Sequence, residues 1–254
     1  MKTFYFILLS LFSQVSAQEI FNEKPFAFEN ISDSFADDYG NIYIYKKADF
    51  SFTKYSPAGN QLGKLMFTLP FKIQSVQNPL SIPAFSENAQ ELRFYDQNLN
   101  LVQTVEFTPR FGFVKMAYAE DLQQIWLLDE SSKNLILYNF RDDYVIASFP
   151  FKADFDLVLD LLVYEDVAYI LHLDALSIFK FKSAEIREIP VRNPRRLLRE
   201  NSQISVVTKN GILGLENNSF KVVFESDTAD FVDKNSNAFF EIKDNKLYLY
   251  PIKK

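Results

Sequence analysis

The chain has 254 residues, 33 acidic against 27 basic side chains, a net charge of −6 and no cysteine. The acidic balance argues against general nucleic-acid binding, and the lack of cysteine excludes disulfides and any lipid anchor on cysteine. At this length a sizeable core can form without covalent staples, and 27 Phe with 13 Tyr suit the half-buried surfaces of β-sheets.

The N-terminus reads as a signal peptide. Lys2 supplies the charge, Phe4 to Phe12 form a short apolar run, and Val15 and Ala17 fit a small-residue cleavage site. The run is too short to span a bilayer as a helix. Cleavage is expected before Gln18, leaving one soluble exported domain, residues 18–254, in the periplasm or outside the cell and not a lipoprotein. No later apolar stretch has the length of a transmembrane helix.

Asp37-Asp38-Tyr39-Gly40-Asn41 then reads as a turn and Ile42-Tyr43-Ile44-Tyr45 as a strand. A second strand, Phe52 to Tyr55, leads through Ser56-Pro57-Ala58-Gly59-Asn60 into Gln61 to Phe67. Degraded copies follow. Short strands ending in Tyr95, Tyr138, Phe179, Leu215 and Tyr250 repeat the Tyr55 position, and four of them lead through polar turns into further strands. These anchors lie 35 to 43 residues apart, close to the ~40 residues of a four-stranded propeller blade. Six units fit the length; seven would leave too few residues for four strands plus loops.

The sixth unit stops after its third strand. Glu19 to Phe26 resembles the fourth strands elsewhere, so the mature N-terminus is expected to pair with Leu247 to Tyr250 and close the ring. Three stretches are irregular. Pro79 and Pro83 predict a short second strand in the second unit. Leu157 to Tyr164 is dense enough in apolar residues to pass for a helix, but its place before Val167 to Leu171 predicts an innermost strand. Arg195 to Glu200 has helical propensity.

The first unit resembles NHL-type propeller repeats, through Gly40-Asn41-Ile42-Tyr43-Ile44 and Phe52-Thr53-Lys54-Tyr55-Ser56-Pro57-Ala58-Gly59-Asn60. The later units keep the period and lose the Gly-Asn signature. The resemblance implies an all-β, six-bladed β-propeller of four-stranded antiparallel blades around a central channel, a fold commonly used for binding. It carries no catalytic residue across.

Catalytic chemistry is sparse. His172 is the only histidine, which excludes His-based zinc sites and arrangements needing further histidines. The acidic pairs Asp37-Asp38, Glu120-Asp121, Asp129-Glu130, Asp142-Asp143 and Glu165-Asp166 fall at expected turns, where Asp is favoured for backbone reasons. No cofactor is expected. The connections between units repeatedly hold a proline beside a basic residue: Lys24-Pro25, Pro70-Phe71-Lys72, Pro109-Arg110, Pro150-Phe151-Lys152 and Pro190 to Arg196. In a propeller such crossovers share one face. Lys72, Arg110, Lys152, Arg192, Arg195 and Arg196 are therefore the candidate binding residues for an anionic partner. The leading expectation is a non-enzymatic scaffold that presents this face to a protein or peptide. The alternative is a carbohydrate- or lactone-active enzyme using channel carboxylates, with calcium as its candidate metal.

Overall fold

The structure, a computed structural model, describes residues 18–19, 30–108, 110–151 and 154–252. The expected signal peptide, Lys24-Pro25, Pro109 and Lys152 lie outside the described residues. Strands β1 to β24 form six four-stranded antiparallel sheets, the blades of a β-propeller. Blade 1 runs β2 (Asp33–Ala36), β3 (Ile42–Lys46), β4 (Ser51–Tyr55), β5 (Gln61–Met66) from the inside outward. Blade 2 is β6 (Lys72–Ile73), β7 (Ile82–Ser86), β8 (Glu91–Tyr95), β9 (Leu101–Glu106). Blade 3 is β10 (Val114–Ala119), β11 (Gln124–Asp129), β12 (Asn134–Asn139), β13 (Tyr144–Pro150). Blade 4 is β14 (Val158–Tyr164), β15 (Val167–His172), β16 (Ala175–Lys180), β17 (Glu185–Pro190). Blade 5 is β18 (Pro194–Glu200), β19 (Gln203–Thr208), β20 (Gly211–Glu216), β21 (Ser219–Glu225). Blade 6 is β22 (Phe231–Lys234), β23 (Ala238–Lys243), β24 (Lys246–Pro251) and, outermost, β1 (Gln18–Glu19). The six predicted anchors all lie in third strands.

Turn chemistry sets the period. Asn217-Asn218 and Asp244-Asn245 join adjacent strands with both residues at positive φ, the two-residue hairpin geometry whose twist matches the strands. Asp37 Oδ1 accepts the amides of Tyr39 and Asn41, at 3.0 and 2.8 Å. Asp96 repeats this with the amides of Asn98 and Asn100, both at 2.8 Å. The residue after each complete outer strand turns back in the same way. Phe67, Phe107, Phe151, Val191 and Ser226 each donate their N–H to the turn before the third strand, to Phe50, Gln90, Lys133, Asp174 and Asn210. The first four of these are buried and plug the space between neighbouring blades.

Two irregular stretches resolve as strands: the apolar run is the inner strand β14, and Arg195 to Glu200 lies in β18. The proline effect falls one strand inward of its expected place. β7 is a full buried strand that includes Pro83, and it is the inner strand β6 that shrinks to two residues. Gln74 N–H still donates to the Pro83 carbonyl at 3.0 Å, but Pro83 has no N–H to return the bond, so the ladder ends there.

The ring closes through Gln18↔Leu249 and Glu19↔Tyr248; residues 20–26 of the expected closing strand lie outside the described residues. Deleting residues 18–28 should leave β24 as an open edge. The expected result is aggregation or a fall in melting temperature of several degrees, against no change on removing Lys253 and Lys254, measured by calorimetry.

Candidate functional site: the two mouths of the central channel

The channel is walled by the six inner strands, and charge crosses it. Arg196 of β18 is buried, 3% exposed. It meets Asp233 of β22 at 2.6 Å, donates to the Ser34 carbonyl at 3.2 Å, lies 3.9 Å from Asp33 of β2, and stacks over the Phe35 ring. Asp233 in turn accepts the amides of Ala36, at 2.9 Å, and Lys234, at 2.7 Å. Burial opposes the charge on Arg196, but Asp233 and Asp33 together outweigh it and raise its pKa. Burial pushes the Asp233 carboxyl up, against the pull of Arg196. Arg195 pairs with Asp33 and stacks over Phe231. Blades 5, 6 and 1 are thus tied through one ionic cluster.

Across the channel Lys72 of β6 pairs with Asp160 of β14 at 3.4 Å. Asp160 also accepts the amides of Leu161, at 3.0 Å, and Leu197 in the next blade, at 2.7 Å. The pair stands between two cavities. The upper, about 450 Å³, has Lys72 in its wall; the lower, about 670 Å³, has Asp160.

The upper mouth is cationic. Lys47, Lys72, Lys115 and Arg195 line it against Asp33 and Glu87, over an apolar lining that includes Phe71, Met116 and Leu159. Lys115 pairs with Glu87 at 2.9 Å. Three of the lining residues are placed by one local device. At Lys115, Leu159 and Arg195 the register of β10, β14 and β18 against the next strand slips by a residue. Such bulges bend a strand and re-aim a side chain, here at the mouth.

The six sequence candidates therefore part company. Lys72 and Arg195 line the upper mouth, and Arg196 is buried beside it in the ionic cluster. Arg192 is exposed, two residues ahead of the lining residue Pro194, with no ion pair among the described residues. Arg110 turns to the outer hairpin of blade 3, pairing with Asp143 and stacking over Tyr138. Lys152 lies outside the described residues. Lys47 and Lys115 join the mouth without a sequence signal: one follows a second strand and the other sits at a bulge.

The carboxylates are occupied. Glu120 accepts Trp126 Nε1–H at 2.8 Å, Asp121 caps Gln123 and Gln124, and Asp129 caps Ser131 and Ser132. Among the described residues no three His, Asp or Glu side chains gather as a metal site needs. His172 is buried at the end of β15 with Nε2 2.9 Å from Ser177 Oγ. Burial lowers its pKa, outweighing Glu188, Asp174 and Asp154.

No protein-family model matches the chain, and no curated protein sequence matches it. Solved structures do. The WD40 repeats of RRP9 superpose with TM-score 0.55 at 8% identity, covering 94% of this chain and 98% of that one. A catalytically inactive virginiamycin B lyase from Staphylococcus aureus, solved with quinupristin, gives 0.52 at 11% identity over 91% and 83%. A protein of unknown function from Bacteroides caccae gives 0.50 at 7% identity over 76% and 79%. This chain is a six-bladed β-propeller. At these identities the likeness concerns the propeller's fold alone.

Two outcomes follow from the buried groups. Arg196→Met should destabilise the propeller by roughly 3–5 kcal/mol, because Asp233 is left charged and unpaired; Arg196→Met with Asp233→Leu should recover part of that in urea melts. The depressed His172 favours its neutral form, so its contribution is complete above its ordinary pKa, about 6.5, and is lost as pH falls below it. Wild-type stability should fall more steeply than that of His172→Gln between about pH 7 and 5.

Proposed function

We propose that this chain is an exported, non-enzymatic binding propeller that offers its upper mouth to an anionic protein or peptide partner in the cell envelope or outside the cell. The carrying observation is the upper mouth itself: four cations against two carboxylates on an acidic protein. Such a focus of opposite sign raises the encounter rate of an anionic partner. The aromatic and apolar side chains around those cations supply area for a peptide's apolar residues. Exposed Arg192, two residues ahead of the lining residue Pro194, extends the same reading.

The signal-like leader supports export, and among the described residues no helix is long and apolar enough to cross a membrane. The Gly40-Asn41 and Ser56 to Asn60 turns support an NHL-like origin for the first blade. The structural neighbours include both a repeat domain and a lyase, so the fold leaves binding and catalysis open. The channel carboxylates favour binding. Asp33, Asp160 and Asp233 are each committed to a cation and to backbone amides, which removes them as free bases for carbohydrate or lactone chemistry.

A fluorescent oligo-glutamate peptide serves as the probe. It should bind at low ionic strength and be released by salt. Lys47→Glu and Arg192→Glu together, both on exposed side chains, should weaken it by about tenfold or more with little change in melting temperature. Binding indifferent to both the reversals and salt overturns the assignment.

A further inference from the structure

The lower mouth is a separate cavity of about 670 Å³, within the range of small-molecule sites, and the proposed peptide face does not use it. Its wall carries Gln77, Asn78, Glu120, Asp121, Arg141 and Arg199, with Asp160 among its lining residues. By simple count it is acidic, but the acids and the arginines differ in what they already hold. Glu120 is taken by the Trp126 indole, Asp121 by the two amides of its own turn, and Asp160 by Lys72 and two backbone amides.

The arginines are the reverse. Neither Arg141 nor Arg199 has a carboxylate partner among the described residues, as is also true of Arg187 and Arg192 away from this cavity, whereas Arg93, Arg110, Arg195 and Arg196 all do. Arg199 is nonetheless held in place. Its guanidinium lies 4.7 Å from the Tyr164 ring centroid and donates to the Asn201 carbonyl at 3.4 Å. A guanidinium carries five donors, so this anchoring leaves donors over. Arg141 stands exposed on the turn after β12, on the same cavity.

We infer that the lower mouth binds a small organic polycarboxylate, with Arg199 as the fixed fork, Arg141 as the second clamp, and Gln77 and Asn78 as neutral polar contacts. A planar guanidinium matches a carboxylate through two parallel hydrogen bonds. Two arginines lining one cavity call for a ligand with more than one carboxylate. Held rotamers reduce the entropy lost on binding.

Calorimetric titration of the full chain with citrate, glutarate and inorganic phosphate tests this. At least one carboxylate should bind. Arg199→Gln and Arg141→Gln should each weaken it by about tenfold or more, and Arg199→Lys should do the same without altering the melting temperature. Lys47→Glu with Lys115→Glu, on the upper mouth, should leave the affinity unchanged. Arg141 is on an exposed turn, so its variant reads binding even if Arg199 variants fold poorly. Three outcomes overturn the inference: no response to either carboxylate, a response to phosphate alone, or carboxylate binding that survives both arginine substitutions. None of them bears on the peptide probe at the upper mouth.

Discussion

The constraint on which the rest depends is the burial of Arg196. A guanidinium removed from water costs several kcal/mol unless its partners are in place, and its partners come from blades 6 and 1, more than 30 residues along the chain and, by wrap-around, at its beginning. Asp233 carries the tie onward, since the same carboxylate that meets Arg196 also accepts the Ala36 amide of blade 1. The cluster can be satisfied only when first and last blades are adjacent. It therefore does from the inside what the β1–β24 pairing does from the outside, fixing the ring as closed.

Elsewhere the inner strands are joined by other chemistry. Between blades 2 and 3 the side-chain amides of Gln74 and Gln90 act as substitute backbone. Gln74 bonds the Ala117 carbonyl and the Ala119 amide, and Gln90 bonds both groups of Val114. Where β6 is cut short by Pro83, Gln74 thus supplies a bridge that a longer strand would not need. Between blades 3 and 4 the join is apolar, with Phe151 and Phe155 of the crossover packed together and Phe151 against Phe179. The Lys72–Asp160 pair reaches across, with Lys72 lining one cavity and Asp160 the other.

This division assigns work to charge. Among the described residues Asp37, Asp96, Asp121 and Asp129 cap turns, and Asp33, Asp160 and Asp233 pair with channel cations, so these acids do not form acidic sites. Cations line the two ends of the channel: three lysines and Arg195 at the upper mouth, Arg141 and Arg199 at the lower. Bulges on three successive inner strands turn side chains toward the upper mouth, and anchoring over Tyr164 holds Arg199 at the lower.

The sequence by itself determined the architecture, because each blade is specified locally. The Asp37 to Asn41 turn, the Asn217-Asn218 hairpin and the anchors from Tyr55 to Tyr250 are short-range features, and their period sets the number of blades. It also marked the strand that pairs with β24. The sites were legible only in part. Lys72 and Arg195 stood out on the crossovers, but nothing nearby in sequence told that Arg196 is buried by Asp33 and Asp233 or that Arg110 turns outward to Asp143. Lys47, Lys115 and Arg199 carried no signal at all. A blade's internal hydrogen bonds join neighbours in sequence, whereas what a channel residue meets depends on blades brought together only when the ring closes. Register slips of one residue, which a repeat period cannot show, then decide which side chains face the mouth.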